Sequence, residues 1–154
     1  MTLPQANGRS IAAARLVALA LGVLLISAAP AAAATPNPIL YMTGTEYYST
    51  GGKSFVRYQY DVLNKDQYPA AMFAPAPSLP PCGSNANSSR AWVDVFDSRG
   101  KRLYGFCALE SPNNLGSIWF SEEEGTVPPS YVYIEINDRQ TNTKYKSNLA
   151  DTTM

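Results

Sequence analysis

Lys53-Ser54-Phe55-Val56-Arg57-Tyr58-Gln59-Tyr60-Asp61-Val62-Leu63 decides the fold. Val56, Tyr58, Tyr60 and Val62 alternate with Arg57, Gln59 and Asp61, the period of an extended strand whose side chains point to opposite faces. β-branched and aromatic residues fill the apolar set, as a pleated, half-buried surface prefers. One face is expected buried and the other wet, as in an antiparallel sheet.

Working outward, the same pattern recurs in short runs punctuated by Gly, Asn, Asp and Pro. Ile39 to Tyr48 reads as the preceding strand, with Gly44 as a candidate bulge and Ser49–Gly52 as the turn. Ala91 to Asp97 and Lys101 to Cys107 read as a hairpin around Asp97-Ser98-Arg99-Gly100, a type I turn whose glycine turns left-handed. There Val93 and Val95 face one way and Trp92 and Phe96 the other, so this pair is expected to be central or covered by a loop. Gly116 to Ser121, Ser130 to Asn137 and Thr143 to Ser147 complete the set, the second with Val132, Ile134 and Ile136 inward. No window carries a 3.6-residue apolar period. The expectation is an all-β, Greek-key sandwich of about seven antiparallel strands, from Ile39 to Asn148. Thr35–Pro38 reads as a flexible leader and Leu149–Met154 as a frayed tail.

Three stretches resemble the immunoglobulin and fibronectin type III superfold: Phe55–Asn64, the strand holding Trp92, and the pair around Tyr131–Ile136 and Lys144–Asn148. The chain departs from that pattern in two places. Tyr131 and Tyr133 are out of phase with the inward Val132 and Ile134, and Cys82 falls in a Pro-rich loop, not on a core strand. Tyr60–Asn64, Leu79–Gly83 and Gly100–Cys107 are similar to stretches of small exported bacterial proteins without an assigned role. That resemblance implies an exported domain and no particular activity. A superfold hosts many functions, so function has to come from a site.

The first 34 residues carry a destination. Arg9 and Arg15 precede the apolar run Leu16–Ile26, and small residues follow from Ser27 to Ala34. This is the order of a secretory signal peptide, with Ala32 and Ala34 placing the cut after Ala34. The apolar run has 11 residues, short of the roughly 20 that span a bilayer as a helix. Removing 34 of 154 residues leaves 120, one ordinary domain, secreted or periplasmic and free of the membrane. In that compartment Cys82 and Cys107 are expected to form one disulfide, worth roughly 3–4 kcal/mol for a loop of this size.

Composition removes several chemistries. The chain has no histidine, which excludes Ser-His-Asp and Cys-His catalysis and ordinary catalytic zinc sites. The 12 basic and 12 acidic residues balance, and loss of Arg9 and Arg15 leaves 10 against 12. Such a balance gives no footprint for nucleic acid. Arg99, Lys101 and Arg102 cluster in the expected hairpin turn, where a solvated role suffices. No metal ion and no cofactor is expected. Glu122–Glu124 reads as a solvated connector, since three consecutive carboxylates cannot face one ion. Together with Glu110 it supplies the carboxylates of a hydrolase alternative.

The reading is therefore a non-catalytic binding domain for a protein or cell-envelope partner. Its expected surface is the loop Tyr68–Arg90, stiffened by Pro69, Pro75, Pro77, Pro80 and Pro81 and presenting Met72, Phe73 and Leu79. A simpler role for these three side chains is to cap one open end of the sandwich. The alternative ligand is a carbohydrate or cell-wall glycan, stacked on Tyr47, Tyr48 or Trp119. Asn87-Ser88-Ser89 is a glycosylation sequon, relevant to a eukaryotic route.

Overall fold

The computed structural model describes residues 34–83 and 88–153. Residues 1–33 of the expected signal peptide, and Asn87 of the sequon, lie outside the described residues. Eight strands form: β1 (Leu40–Thr50), β2 (Lys53–Val62), β3 (Ala91–Asp97), β4 (Arg102–Phe106), β5 (Ile118–Glu123), β6 (Tyr131–Asp138), β7 (Thr143–Lys146) and β8 (Ala150–Asp151). One sheet has the order β1-β2-β5 and the other β4-β3-β6-β7, with β8 also on β6. All pairings are antiparallel. The chain crosses between sheets from β2 to β3, β4 to β5 and β5 to β6, the Greek-key succession expected.

The core follows from alternation. Tyr58, Tyr60 and Val62 of β2 and Ile118 and Phe120 of β5 face Val93, Val95, Val132, Ile134 and Ile136 of the other sheet, all buried. Phe120 stacks on Tyr58 at 4.9 Å between ring centroids. The β1–β2 turn is tighter than Ser49–Gly52: Ser49 and Thr50 pair with Ser54 and Lys53, leaving only Gly51 and Gly52. Both have positive φ, as a type I′ hairpin demands. The bulge arrives as expected, between Met42 and Gly44. Gly100 takes the left-handed conformation, and Asp97 Oδ1 accepts the amides of Arg99 and Lys101 across that turn.

β3 is central in its sheet, between β4 and β6, the first of the two expected placements, and cations and an aromatic neighbour cover its apolar outer face. Phe96 stacks on Tyr133 at 5.2 Å, Lys146 lies over Tyr133 at 4.0 Å and Arg139 over Trp92 at 4.4 Å. Long basic side chains cover aromatic surface while their charged heads stay wet. The fifth strand begins two residues later than expected. Ser111 and Asn114 cap a 3-10 turn over Pro112–Ser117, which absorbs Gly116 and Ser117. The 3-10 turn draws Asn114 Oδ1 onto the amides of Glu110 and Ser111.

Both termini of the domain are fixed where the sequence suggested slack. In the leader, Tyr68 donates its hydroxyl to the Pro36 carbonyl at 2.7 Å, and Asn64 donates its amide to the Asn37 carbonyl at 3.0 Å. Prolines lack an N–H but keep a carbonyl, so buried donors can hold them. The tail expected to fray instead forms β8 against β6, and Thr152 is buried with its hydroxyl on the Pro129 carbonyl at 2.6 Å. Asn148 behaves as a strand residue in disguise. Its side-chain oxygen accepts the Leu40 amide at 2.8 Å, and its side-chain nitrogen donates to the Leu40 carbonyl at 2.9 Å. This clasp closes the sandwich edge between β1 and the C-terminal strands. Asn148→Ala leaves both backbone groups of buried Leu40 without these partners and is expected to cost about 1–2 kcal/mol in urea unfolding. An unchanged midpoint would mean that the clasp contributes nothing.

Candidate functional site

The long β2–β3 connection is the largest irregular element, and its sequence explains its shape. After Val62, 3-10 turns at Lys65–Gln67 and Ala70–Phe73 drive Met72 and Phe73 into the core. The chain then doubles back on itself. The Arg90 amide donates to the Ala74 carbonyl at 3.0 Å, the Ala76 amide to the Ser88 carbonyl at 2.8 Å, and Pro75 bridges Ser89. The alternation Ala74-Pro75-Ala76-Pro77 suits this pairing, because prolines occupy positions where no donor is needed. The disulfide Cys82–Cys107 ties the far side of the loop to the end of β4, and the Ser89 amide donates to the Cys107 carbonyl at 2.8 Å.

Doubling back leaves a groove of about 390 Å³ between the loop and the β6–β7 turn. One wall is apolar and small, built from Ala71, Ala74, Ala76, Pro77 and Leu79; the other is Arg90, Arg139 and Gln140. Arg90 is locked in place by Asp138, with Nε on Oδ1 at 2.7 Å and a second, shorter bond from the other guanidinium nitrogen. Asp138 also accepts the Gln140 amide at 3.0 Å and the Thr141 hydroxyl at 2.8 Å. The Arg90 guanidinium, helped by these donors, outweighs burial and holds the Asp138 carboxyl down to about 2. Asp138 therefore stays ionised at neutral pH and serves as an anchor, not as an acid. Arg139 makes no ion pair among the described residues; it rests on the Trp92 indole, whose Nε1 donates to the Ser89 carbonyl at 2.9 Å. A larger dent, about 460 Å³, lies at the hairpin end between Arg99, Lys101 and Glu122, where charges of both signs offset each other.

The residues singled out from sequence scatter. Met72 is 3 % exposed and Phe73 0 %. They are not presented on the loop: apolar burial pulls both inward, and they close the sandwich as the simpler reading has it. Leu79 alone of the three is half-exposed, and it lines the groove. Tyr47 and Tyr48 sit within β1, not in a loop. Tyr47 is 70 % exposed, while Tyr48 stacks on Phe55 at 5.5 Å. Trp119 is half-buried beneath Arg57 at 4.6 Å, Tyr104 at 4.1 Å and Phe106 at 5.8 Å. Tyr104 and Phe106 lie across from Val95 and Val93, on the inner side of their sheet, so Trp119 folds over β5 to close the second edge of the sandwich. Its ring is engaged by these neighbours and also lines a hollow of about 300 Å³ with Thr43, Arg57 and Gln59.

The hydrolase carboxylates are kept apart. Glu110 lies beside Ser88 and Ser89 where β3 begins. Glu122 and Glu123 pair with Val56 and Phe55 near the opposite, hairpin end, and Glu123 is held by Lys53 at 2.8 Å. Among the described residues, no three acidic or cysteine side chains gather as a metal site. Sequence reasoning missed Arg90, Arg139 and Trp92 as members of a groove. The available signals were the Ala-Pro alternation and two arginines flanking the ends of one hydrogen-bonded sheet, at Ala91 and Asp138.

No protein-family model, curated protein sequence or solved structure matches this chain.

Proposed function

We propose that this is an exported, non-catalytic binding domain of the immunoglobulin and fibronectin III type, and that it takes a segment of a protein partner in the groove beside Leu79. Export rests on the leader, whose cut after Ala34 exposes Thr35 immediately before the anchored Pro36. The strand order β1-β2-β5 against β4-β3-β6-β7 supports the finer fold assignment. The observation that carries the function is the groove itself. It is concave, walled on one side by small apolar groups and on the other by polar ones, and held open by a disulfide and a buried ion pair. Walls ordered before binding lose little freedom when a ligand arrives.

The test is selection of displayed random heptapeptides on the purified, oxidised protein, followed by calorimetry of the enriched sequences. Leu79→Arg, which fills the groove with a charged chain, is expected to weaken binding at least tenfold. Tyr47→Ala, on the opposite end of the molecule, is expected to leave it unchanged. Failure to enrich any peptide, or equal loss in both variants, would refute a groove-centred site.

A further inference from the structure

We infer that the groove selects partner segments carrying an acidic side chain next to a small apolar residue, and that Arg139 is the selecting residue. This deepens the proposed function and rests on it. The charge inventory of the groove carries the argument. Two guanidinium groups line it, and no carboxylate does. Asp138, behind the wall, is consumed by Arg90, with the Gln140 amide and the Thr141 hydroxyl on its remaining positions. One positive charge is left over, on Arg139, which makes no ion pair among the described residues. Residues 1–33 and 84–87 contain no Asp or Glu, so they hold no hidden carboxylate side chain for it.

Arg139 is also pre-set for recognition. Its guanidinium carbon sits over Trp92, 4.4 Å from the ring centroid, which holds the group in place, and its N–H groups make no ion pair among the described residues. A carboxylate is the planar acceptor that matches a guanidinium edge with two parallel bonds. The facing wall of Ala71, Ala74, Ala76 and Leu79 admits a small apolar side chain and offers no charge of its own.

A side-chain carboxylate fits better than a chain terminus. Capture of a terminal carboxylate uses several converging free backbone amides. Here the amides of Arg139 and Gln140 are committed to the Arg90 carbonyl and Asp138 Oδ1, and those of Ala76, Leu79 and Arg90 to Ser88, Ala76 and Ala74. The cation left to meet a carboxylate is the Arg139 guanidinium, with the side chains of Ser78 and Gln140 beside it.

The probe is a panel of capped heptapeptides, drawn from the selected sequences or built from Ala, Leu and Pro, with Glu, Gln or Lys at the central position. Titration of the oxidised protein should give affinities at least tenfold higher for Glu than for Gln, with Lys weakest. The Glu preference should shrink as salt is raised. Arg139→Gln should erase the difference between Glu and Gln, and Arg139→Lys should restore part of it. Peptides that bind, are lost in Leu79→Arg, and yet show equal affinity for Glu and Gln would overturn the acidic selection and leave the groove standing. Peptides that bind nowhere, or bind equally to Leu79→Arg, would overturn the groove and the inference with it.

Discussion

Phe73→Ala removes about 4 kcal/mol of folding stability, the range measured when a fully buried aromatic ring is truncated. Phe73 has no exposed surface and belongs to the same cluster as Leu109 and Leu115. The loss is transfer of the ring to water plus the cavity left where the loop cannot collapse, since Cys82–Cys107 and the Ser88–Ala76 pairing hold it in place. A domain of this size has roughly 5–15 kcal/mol in all, so the variant is expected to be folded but marginal. Urea unfolding followed by circular dichroism checks it. The same variant separates the two roles proposed for this residue. If Phe73 were a contact residue, binding would fall and stability would not. The expected outcome is the reverse, with peptide affinity preserved at temperatures where the variant is folded. A stability change under about 1 kcal/mol, the usual outcome for an exposed site, would contradict the burial.

Asp138→Ala is expected to cost about 3–5 kcal/mol, because it strips a buried carboxylate from a guanidinium that is itself three-quarters buried. Arg90 then keeps its charge with no counter-ion, and the β6–β7 turn loses the acceptor for Gln140 and Thr141. The ion pair also gives the native protein a predictable response to acid. The Asp138 carboxyl is held at about 2, below its ordinary value, so its stabilisation is fully present above the ordinary carboxylate pKa of about 3.9. It is lost as pH falls from there towards 2, and it amounts to about 2–3 kcal/mol. Denaturation at a series of pH values should therefore show a steep drop between pH 4 and 2 in the native protein. In Asp138→Ala that part of the slope disappears. Identical slopes in the two proteins would mean that the carboxyl is not held by Arg90.

What the sequence makes readable is what alternation records. Val56, Tyr58, Tyr60 and Val62 declare both a strand and its inner face, and Asp97-Ser98-Arg99-Gly100 declares a hairpin. Interactions that depend on cross-strand register stay hidden. Arg57 meets Trp119 only because Gln59 pairs with Trp119, and Arg57 with Ser121, in the β2–β5 ladder. No local pattern encodes that neighbour, so the cation over Trp119 cannot be read from the sequence. Ala150–Asp151 is too short, and its surroundings too polar, to display a period of two, yet it completes the sheet beside β6. The loop fails for another reason. Prolines signal irregular backbone, but where Met72 and Phe73 point is decided by the space left between two sheets, which a one-dimensional pattern does not contain. Arg139 reads as one more solvated charge in a turn. Its role in the groove emerges only when Trp92, 47 positions earlier, is brought under it.

The clasp between Asn148 and Leu40 has a temporal meaning as well. It joins the first strand of the domain to a residue made 108 positions later, and β8 cannot reach β6 until both have left the ribosome. A nascent chain can assemble β1–β2 and β3–β4 early, but the edge beside Leu40 stays unlatched until Asn148 is made. Completion of the sandwich thus waits on its latest-made segment, and until then β1 keeps one edge open.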